Sequence, residues 1–119
     1  MLHKEDDCIF CKIVRGEIPS RIVYEDKNFL GFLDINPKAE GHTLIIPKKH
    51  FNTLLDLPIT LGNELLEAMK NIAIELIKEG KAQGFNTIAN TYEVAGQVVN
   101  HAHFHIIPRN KGDGLKGLI

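Results

Sequence analysis

The spacing of apolar positions changes period several times along the 119-residue chain, and each change marks an expected element. Ile9, Phe10, Ile13 and Val14 recur at helical spacing, with Gly16 as a C-terminal stop, so a short helix is expected over Cys8 to Val14. Arg21 to Glu25 and Phe29 to Asp34 are rich in β-branched and aromatic residues around the polar Asp26-Lys27-Asn28, which reads as a hairpin. After a loop from Asn36 to Gly41, His42 to Ile46 resumes strand character until Pro47, which has no ladder donor, ends it. From Thr60 to Glu79 the set Leu61, Leu65, Met69, Ile72, Ala73, Leu76 and Ile77 follows i, i+3, i+4 spacing. That is one long helix, with Thr60 as N-cap and Gly80 as stop. Phe85 to Asn90 and His101 to Pro108 complete the strands. The tail from Asn110, with Gly112, Gly114 and Gly117, reads as a poorly ordered arm.

Strands at both ends of a central helix predict an α+β fold, a mainly antiparallel five-stranded sheet with one long and one short helix, rather than alternating βαβ units. The length suits one domain over residues 1–119, with 110–119 as a flexible tail. Hydrophobic residues make up 44% of the chain and charged residues 24%, and no apolar run is long enough to span a bilayer, so a soluble protein without a membrane partner is expected. A net charge of -1 gives no field for capturing a nucleic-acid polymer, although a single nucleotide needs only a few local donors. No glycine-rich phosphate loop is present, so any phosphate must be held by other groups. Met1 to Asp7 carries His3, Lys4, Glu5, Asp6 and Asp7 instead of a secretory pattern, which suggests a cytoplasmic address and leaves His3 exposed and silent.

Candidate chemistry concentrates at His101, His103 and His105, which alternate with Ala102, Phe104 and Ile106. On a strand, the imidazoles turn to one face and the apolar residues to the other. Same-face neighbours lie about 6.6 Å apart, so His101 and His105 would be about 13 Å apart, too far for all three rings to meet at one atom. That geometry favours a central histidine with helpers. Imidazole suits attack on phosphorus because one nitrogen stays unprotonated near neutrality while the other is held as a donor. Just upstream, Gly96 would let backbone N–H groups approach an anion, and Gln97 adds an amide donor. Cys8 and Cys11 form a C-x-x-C that on a helix shares one face, which suits two thiolates on a tetrahedral zinc lacking two ligands; a redox dithiol or two buried small residues are the other readings.

The run Gly96-Gln97-Val98-Val99-Asn100-His101-Ala102-His103-Phe104-His105-Ile106-Ile107 resembles the His-x-His-x-His-x-x signature of the histidine triad family. Cys8 to Ile13, Glu17-Ile18-Pro19, Phe32 to Pro37 and Gly41 to His50 resemble the same family in the same order, closer to its Hint-like branch than to its Fhit-like one. The resemblance implies a nucleotidyl hydrolase or transferase with a covalent nucleotidyl-histidine at His103, attacking the α-phosphorus. It places His105 on the phosphate or bridging atom, makes His42 the fourth active-site histidine, and sets Asn90, Gly96 and the backbone and side chain at Gln97 and Val98 toward phosphate oxygens. Asp34 matches a ribose-hydroxyl acceptor, and Phe10, Ile18, Phe32 and Ile35 match the pocket around base and sugar. The family often has serine or threonine where this chain has Val98, so a hydroxyl contact is missing. Relatives with the cysteine pair complete a zinc site with residues matching His50 and His101, which gives His101 a structural role.

These readings converge on a homodimeric cytoplasmic hydrolase that releases a purine nucleoside monophosphate, AMP in the first instance, from phosphoramidates or adenylylated amines. The chemistry itself needs no cofactor, because histidines and backbone donors supply the charge stabilisation. In the dimer, the resemblance implies a sheet continued across a two-fold axis. The competing expectations are a dinucleoside polyphosphate hydrolase, a nucleotide-binding regulator with little turnover, and a zinc hydrolase using the triad as ligands.

Overall fold

The computed structural model describes residues 7–116. Its elements are α1 (Ile9–Val14), β1 (Ile22–Glu25), β2 (Phe29–Leu33), β3 (Thr43–Pro47), α2 (Gly62–Lys78), β4 (Gly84–Ile88) and β5 (Phe104–Arg109). The strands form one sheet in the order β1-β2-β3-β5-β4, and every neighbouring pair is antiparallel. The expected α+β architecture of five antiparallel strands with one long and one short helix is therefore present.

Strand alternation sorts the core into two layers. Phe29, Ile45, Phe104 and Ile106 pack against Ala68, Ile72 and Leu76 of α2. Leu30, Phe32, Leu44 and Ile46 pack on the other face against Phe10, Cys11 and Ile13 of α1. Burying each large apolar side chain contributes about 1.5–3 kcal/mol, so α1 is held by its apolar face, not by its short length. Both helices stop where a glycine follows. Gly80 N–H donates to Ile77 O and Lys81 N–H to Leu76 O after α2, and Gly16 and Glu17 repeat the pattern on Ile13 O and Lys12 O after α1.

Several boundaries differ from expectation. Thr60 does not cap α2: it lies in a 3-10 turn, Ile59–Leu61, closed by Leu61 N–H on Pro58 O, that runs into the helix, and no side chain caps the first turn. Further 3-10 turns form at Leu54–Asp56, where Thr53 and Asp56 make a capping box, and at Glu93–Ala95. Pro47 ends β3 as its last paired residue, opposite Phe29. β5 begins at Phe104, so only His105 of the triad lies on a paired strand. The chain bends away after Pro47 and leaves no ladder beside residues 101–103; Ala102 N–H donates instead to Phe51 O at 2.6 Å. β4 ends at Ile88, which puts Asn90 in the following loop.

Within the arm expected over 110–119, residues 110–115 make a hydrogen-bonded turn: Asp113 accepts from Arg109 Nε–H at 2.9 Å and from Asn110 and Leu115 N–H, and Asn110 Nδ2 donates to Lys81 O. Residues 117–119 of that arm, and the expectations for Met1 to Asp6 including His3, lie outside the described residues. Among the described residues no helix is long and apolar enough to cross a membrane.

Candidate active site and metal centre

The α1 face of the sheet carries two clusters of chemical groups, and the segment from 101 to 105 passes through both. Cys8 caps α1 and Cys11 lies one turn on, which turns both thiols to the same side; both are buried. His101 Nδ1 is 3.2 Å from Cys8 Sγ and 3.5 Å from Cys11 Sγ, and His50 Nδ1 is 3.2 Å from Cys11 Sγ. All four candidate ligand atoms lie within 4.8 Å of one another. Zinc–sulfur and zinc–nitrogen bonds of about 2.3 and 2.0 Å at tetrahedral angles put S and N about 3.5 Å apart, close to these spacings. Both rings are also oriented for the task. His101 Nε2–H donates to Pro47 O at 2.8 Å and His50 Nε2–H to Asn52 Oδ1 at 2.9 Å, leaving each Nδ1 lone pair on the cluster. Burial pushes the His101 imidazole down to about 4, partly offset by the Pro47 carbonyl, so it stays neutral. The four residues named from sequence for this centre are thus brought together, and the donor set fits a tetrahedral ion.

His103 lies two residues on. Its Nδ1–H donates to the main-chain carbonyl of His101 at 2.7 Å, so the lone pair is on Nε2. The ring stands edge-on to Phe10, with centroids 5.2 Å apart, and 5.3 Å from the ring of His105; His103 is 7% exposed. His105 faces Leu44 in the β3–β5 register, which sets it beside His42 on the same sheet face. His42 Nε2 and His105 Nδ1 are 2.9 Å apart, and Asp34 Oδ2 lies 3.6 Å from His42 Nε2. Burial lowers the His105 pKa to about 4, with His103 and His42 adding to the shift, and burial likewise lowers that of His42 against the opposing pull of Asp34.

Asp34, His42 and His105 could by proximity hold a metal, but their protons argue otherwise. Lys38 N–H donates to His42 Nδ1, which forces the His42 proton onto Nε2, the atom a metal would need bare.

Other residues named from sequence are placed unevenly. Phe10 and Phe32 are buried with ring centroids 5.7 Å apart, and Ile18 packs against them from the edge of that core. Ile35 is 85% exposed, with none of the described residues covering it. Asp34 accepts Asn36 N–H on Oδ1 and is partly exposed, which leaves Oδ2 toward His42. Gly96 sits at φ +101°, where a Cβ would lie 3.4 Å from Asn90 Nδ2, so glycine lets the loop close over Asn90. Val98 is 89% exposed and lines a cleft of about 380 Å³ with Ile9 and Val99, beside Cys8 and His50.

Gln97 is held within its own loop. Its amide was expected to reach phosphate, but both Nε2 hydrogens are used, on Asn52 O at 2.7 Å and Val99 O at 2.9 Å, and Oε1 accepts Tyr92 N–H. Its own N–H bonds to Tyr92 O, so Gln97 braces the loop instead of offering a donor. Tyr92, at φ 72°, is the only described non-glycine residue with positive φ, and its strain is held by these Gln97 bonds.

Three further residues also find their roles here. Asn52 links His50 to Gln97, and no spacing rule marks it. Lys48 pairs with Glu25 and Arg109 with Asp113, so neither cation faces the histidines.

A family model for the HIT domain matches residues 15–112, which takes in every site histidine and stops short of the cysteine pair. The adenosine 5'-monophosphoramidase HNT1 of Saccharomyces cerevisiae is 47% identical over 112 residues, covering 94% of this chain and 67% of that protein. The adenylylsulfatase HINT3 of Arabidopsis thaliana is 42% identical over 111 residues, covering 93% of this chain and 56% of that protein. The crystal structure of a Zn-bound histidine triad family protein from Mycobacterium smegmatis superposes with a TM-score of 0.88 at 41% identity, covering 94% of this chain and 81% of that one. With the triad, the fold and these matches in agreement, the chain belongs to the histidine triad (HIT) family, on its Hint-like branch.

Proposed function

We propose that the protein is a nucleotidyl hydrolase or transferase that releases a purine nucleoside monophosphate, AMP first, from phosphoramidates or adenylylated amines. The observation that carries this reading is the His103 Nδ1–H bond to His101 O, which leaves Nε2 as a lone pair on a ring held in place. In the first step Nε2 attacks the α-phosphorus and the bond to the leaving amine breaks, with its electron pair going to the amine. In the second, water attacks the nucleotidyl-His103, AMP departs and the His103 lone pair is restored. His105 and the N–H of Val98 face phosphate oxygens, Asn90 and Gly96 shape that loop, and Asp34 accepts from ribose hydroxyls. Phe10, Phe32 and Ile18 support the base and sugar, with Ile35 at the rim.

The relatives named as a monophosphoramidase and an adenylylsulfatase support an adenylyl donor with a small leaving group. A polyphosphate leaving group gains less support, because Lys48 and Arg109 are engaged with acids elsewhere. Zinc is the ion for the Cys8, Cys11, His50 and His101 cluster; when bound it ties α1 to the segment carrying His103 and takes no part in bond cleavage. The protein acts as a cytoplasmic homodimer. β4 forms an edge of the sheet with Phe85 exposed, and Ile74 and Ile77 are exposed on α2, which gives a second copy apolar surface to cover.

Incubation with adenosine 5'-phosphoramidate tests the reading. AMP release that His103→Ala abolishes, with the variant still folded, is the expected result. Tight AMP binding with no turnover of any adenylylated amine would replace the enzyme with a nucleotide-binding regulator.

A further inference from the structure

The protons around His42 are set from outside the histidine pair. A main-chain N–H can only donate, so the Lys38 N–H, 3.1 Å from His42 Nδ1, makes that nitrogen an acceptor without a proton. The His42 proton is then on Nε2, 2.9 Å from His105 Nδ1, and His105 Nδ1 must accept it. The His105 proton is consequently on Nε2, the far side of the ring.

We propose that the Lys38 main-chain N–H is a positioning group that holds His42, and through it His105, as neutral Nε2–H donors. His105 then meets the substrate as a fixed hydrogen-bond donor and not as a source of protons. This rests on the nucleotidyl-transfer reading and refines the role of one of its residues.

The turn that presents Lys38 is built tightly. Asp34 Oδ1 accepts Asn36 N–H at 2.9 Å, His42 N–H donates to Ala39 O at 3.0 Å, and Asp34 N–H donates to His42 O at 2.9 Å. Gly41 sits at φ +90°, and a Cβ there would come within 2.7 Å of Leu76 Cδ2, so α2 backs the turn and keeps it from opening. His42 is 1% exposed.

The charged neighbours act in opposite directions. Asp34 Oδ2, 3.6 Å from His42 Nε2, favours a second proton on His42, while the Lys38 ammonium opposes charge on both rings and His103 opposes it on His105. A second proton on His42 would have to point at the Lys38 N–H, hydrogen against hydrogen. The pair therefore stays neutral, and a neutral imidazole still donates strongly in a water-poor site. His105 cannot give up its proton without drawing one from His42, which has none to replace it. The proton taken by the leaving amine comes from the substrate or from water.

Long-range proton–nitrogen NMR of the full chain labelled at histidine tests this without any turnover. The expected spectrum at pH 7.5, with and without AMP, shows His42 and His105 as Nε2–H tautomers, unchanged on lowering the pH to about 5.5. A proton on His42 Nδ1, or an imidazolium at His105 near neutrality, overturns the proposal. Lys38→Ala keeps the N–H and should keep the His42 signature. Lys38→Pro removes it and should give mixed tautomers, with kcat about tenfold below Lys38→Ala and KM within about threefold. Equal spectra and equal kcat in the two variants also overturn it; if the proline variant does not fold, the unmodified chain decides alone. Absence of phosphoramidate turnover would sink the functional reading and leave the tautomers as they are.

Discussion

His103 donates its Nδ1–H to the main-chain carbonyl of His101 at 2.7 Å, while the side chain of His101 contacts Cys8 and Cys11. One residue thus faces two ways: its imidazole belongs to the Cys8, Cys11 and His50 cluster and its carbonyl orients the ring beside it. His50, through Asn52, makes a second link from that cluster to Gln97 and the loop at Val98. Two hydrogen-bonded connections therefore run from the Cys8, Cys11, His50 and His101 cluster, one to His103 and one to the loop at Val98.

Cys8→Ser or Cys11→Ser removes a thiolate from the cluster. Metal analysis should fall from about one zinc per chain to near none, and calorimetry should show Tm lower by about 5 °C or more, as loss of a few kcal/mol implies for a domain of this size. A purified chain with an intact fold and no bound metal in the presence of zinc would contradict the assignment.

Acid should destabilise the fold through its buried neutral histidines. His101 and His105 are lowered from 6.5 to about 4, and His42 is lowered in the same direction, each chiefly by burial. Between about pH 6.5 and 4 the unfolded chain binds more protons than the folded one, so stability is full above pH 6.5 and falls as pH drops through this window. Urea denaturation from pH 8 to 4.5 reads it, and a flat profile would mean that the rings are not buried and neutral.

The helix α2 was legible because Leu65, Met69, Ile72 and Leu76 keep one period and Gly80 closes it. The five strands and the alternation of histidines against Phe104 and Ile106 were legible for the same reason. The start of β5 was not, because pairing depends on where the partner goes: β3 ends at Pro47, and His101 and His103 are left extended without a ladder. Nor could the pattern show that Gln97 spends its amide on Asn52 and Val99, since both acceptors are main-chain carbonyls, which carry no residue-type signal. The Lys38 N–H carries no residue-type signal at all, being main chain.

Val98→Ser restores a hydroxyl at an exposed position. Stability should change by no more than about 0.5 kcal/mol, because Val98 is 89% exposed. Turnover of adenosine 5'-phosphoramidate should rise severalfold if the added hydroxyl donates to the leaving group or a phosphate oxygen. Steady-state kinetics with unchanged kcat would show that the Val98 N–H already suffices.

The nucleophilic role of His103 is tested most directly by trapping the intermediate. The protein is mixed with an adenylylated amine, quenched within milliseconds, digested and read by mass spectrometry. The account requires an added AMP mass on the peptide containing His103, absent from His103→Ala and lost as free AMP appears. Adenylylation at His105 or His42 instead, or full turnover by His103→Ala, would contradict it.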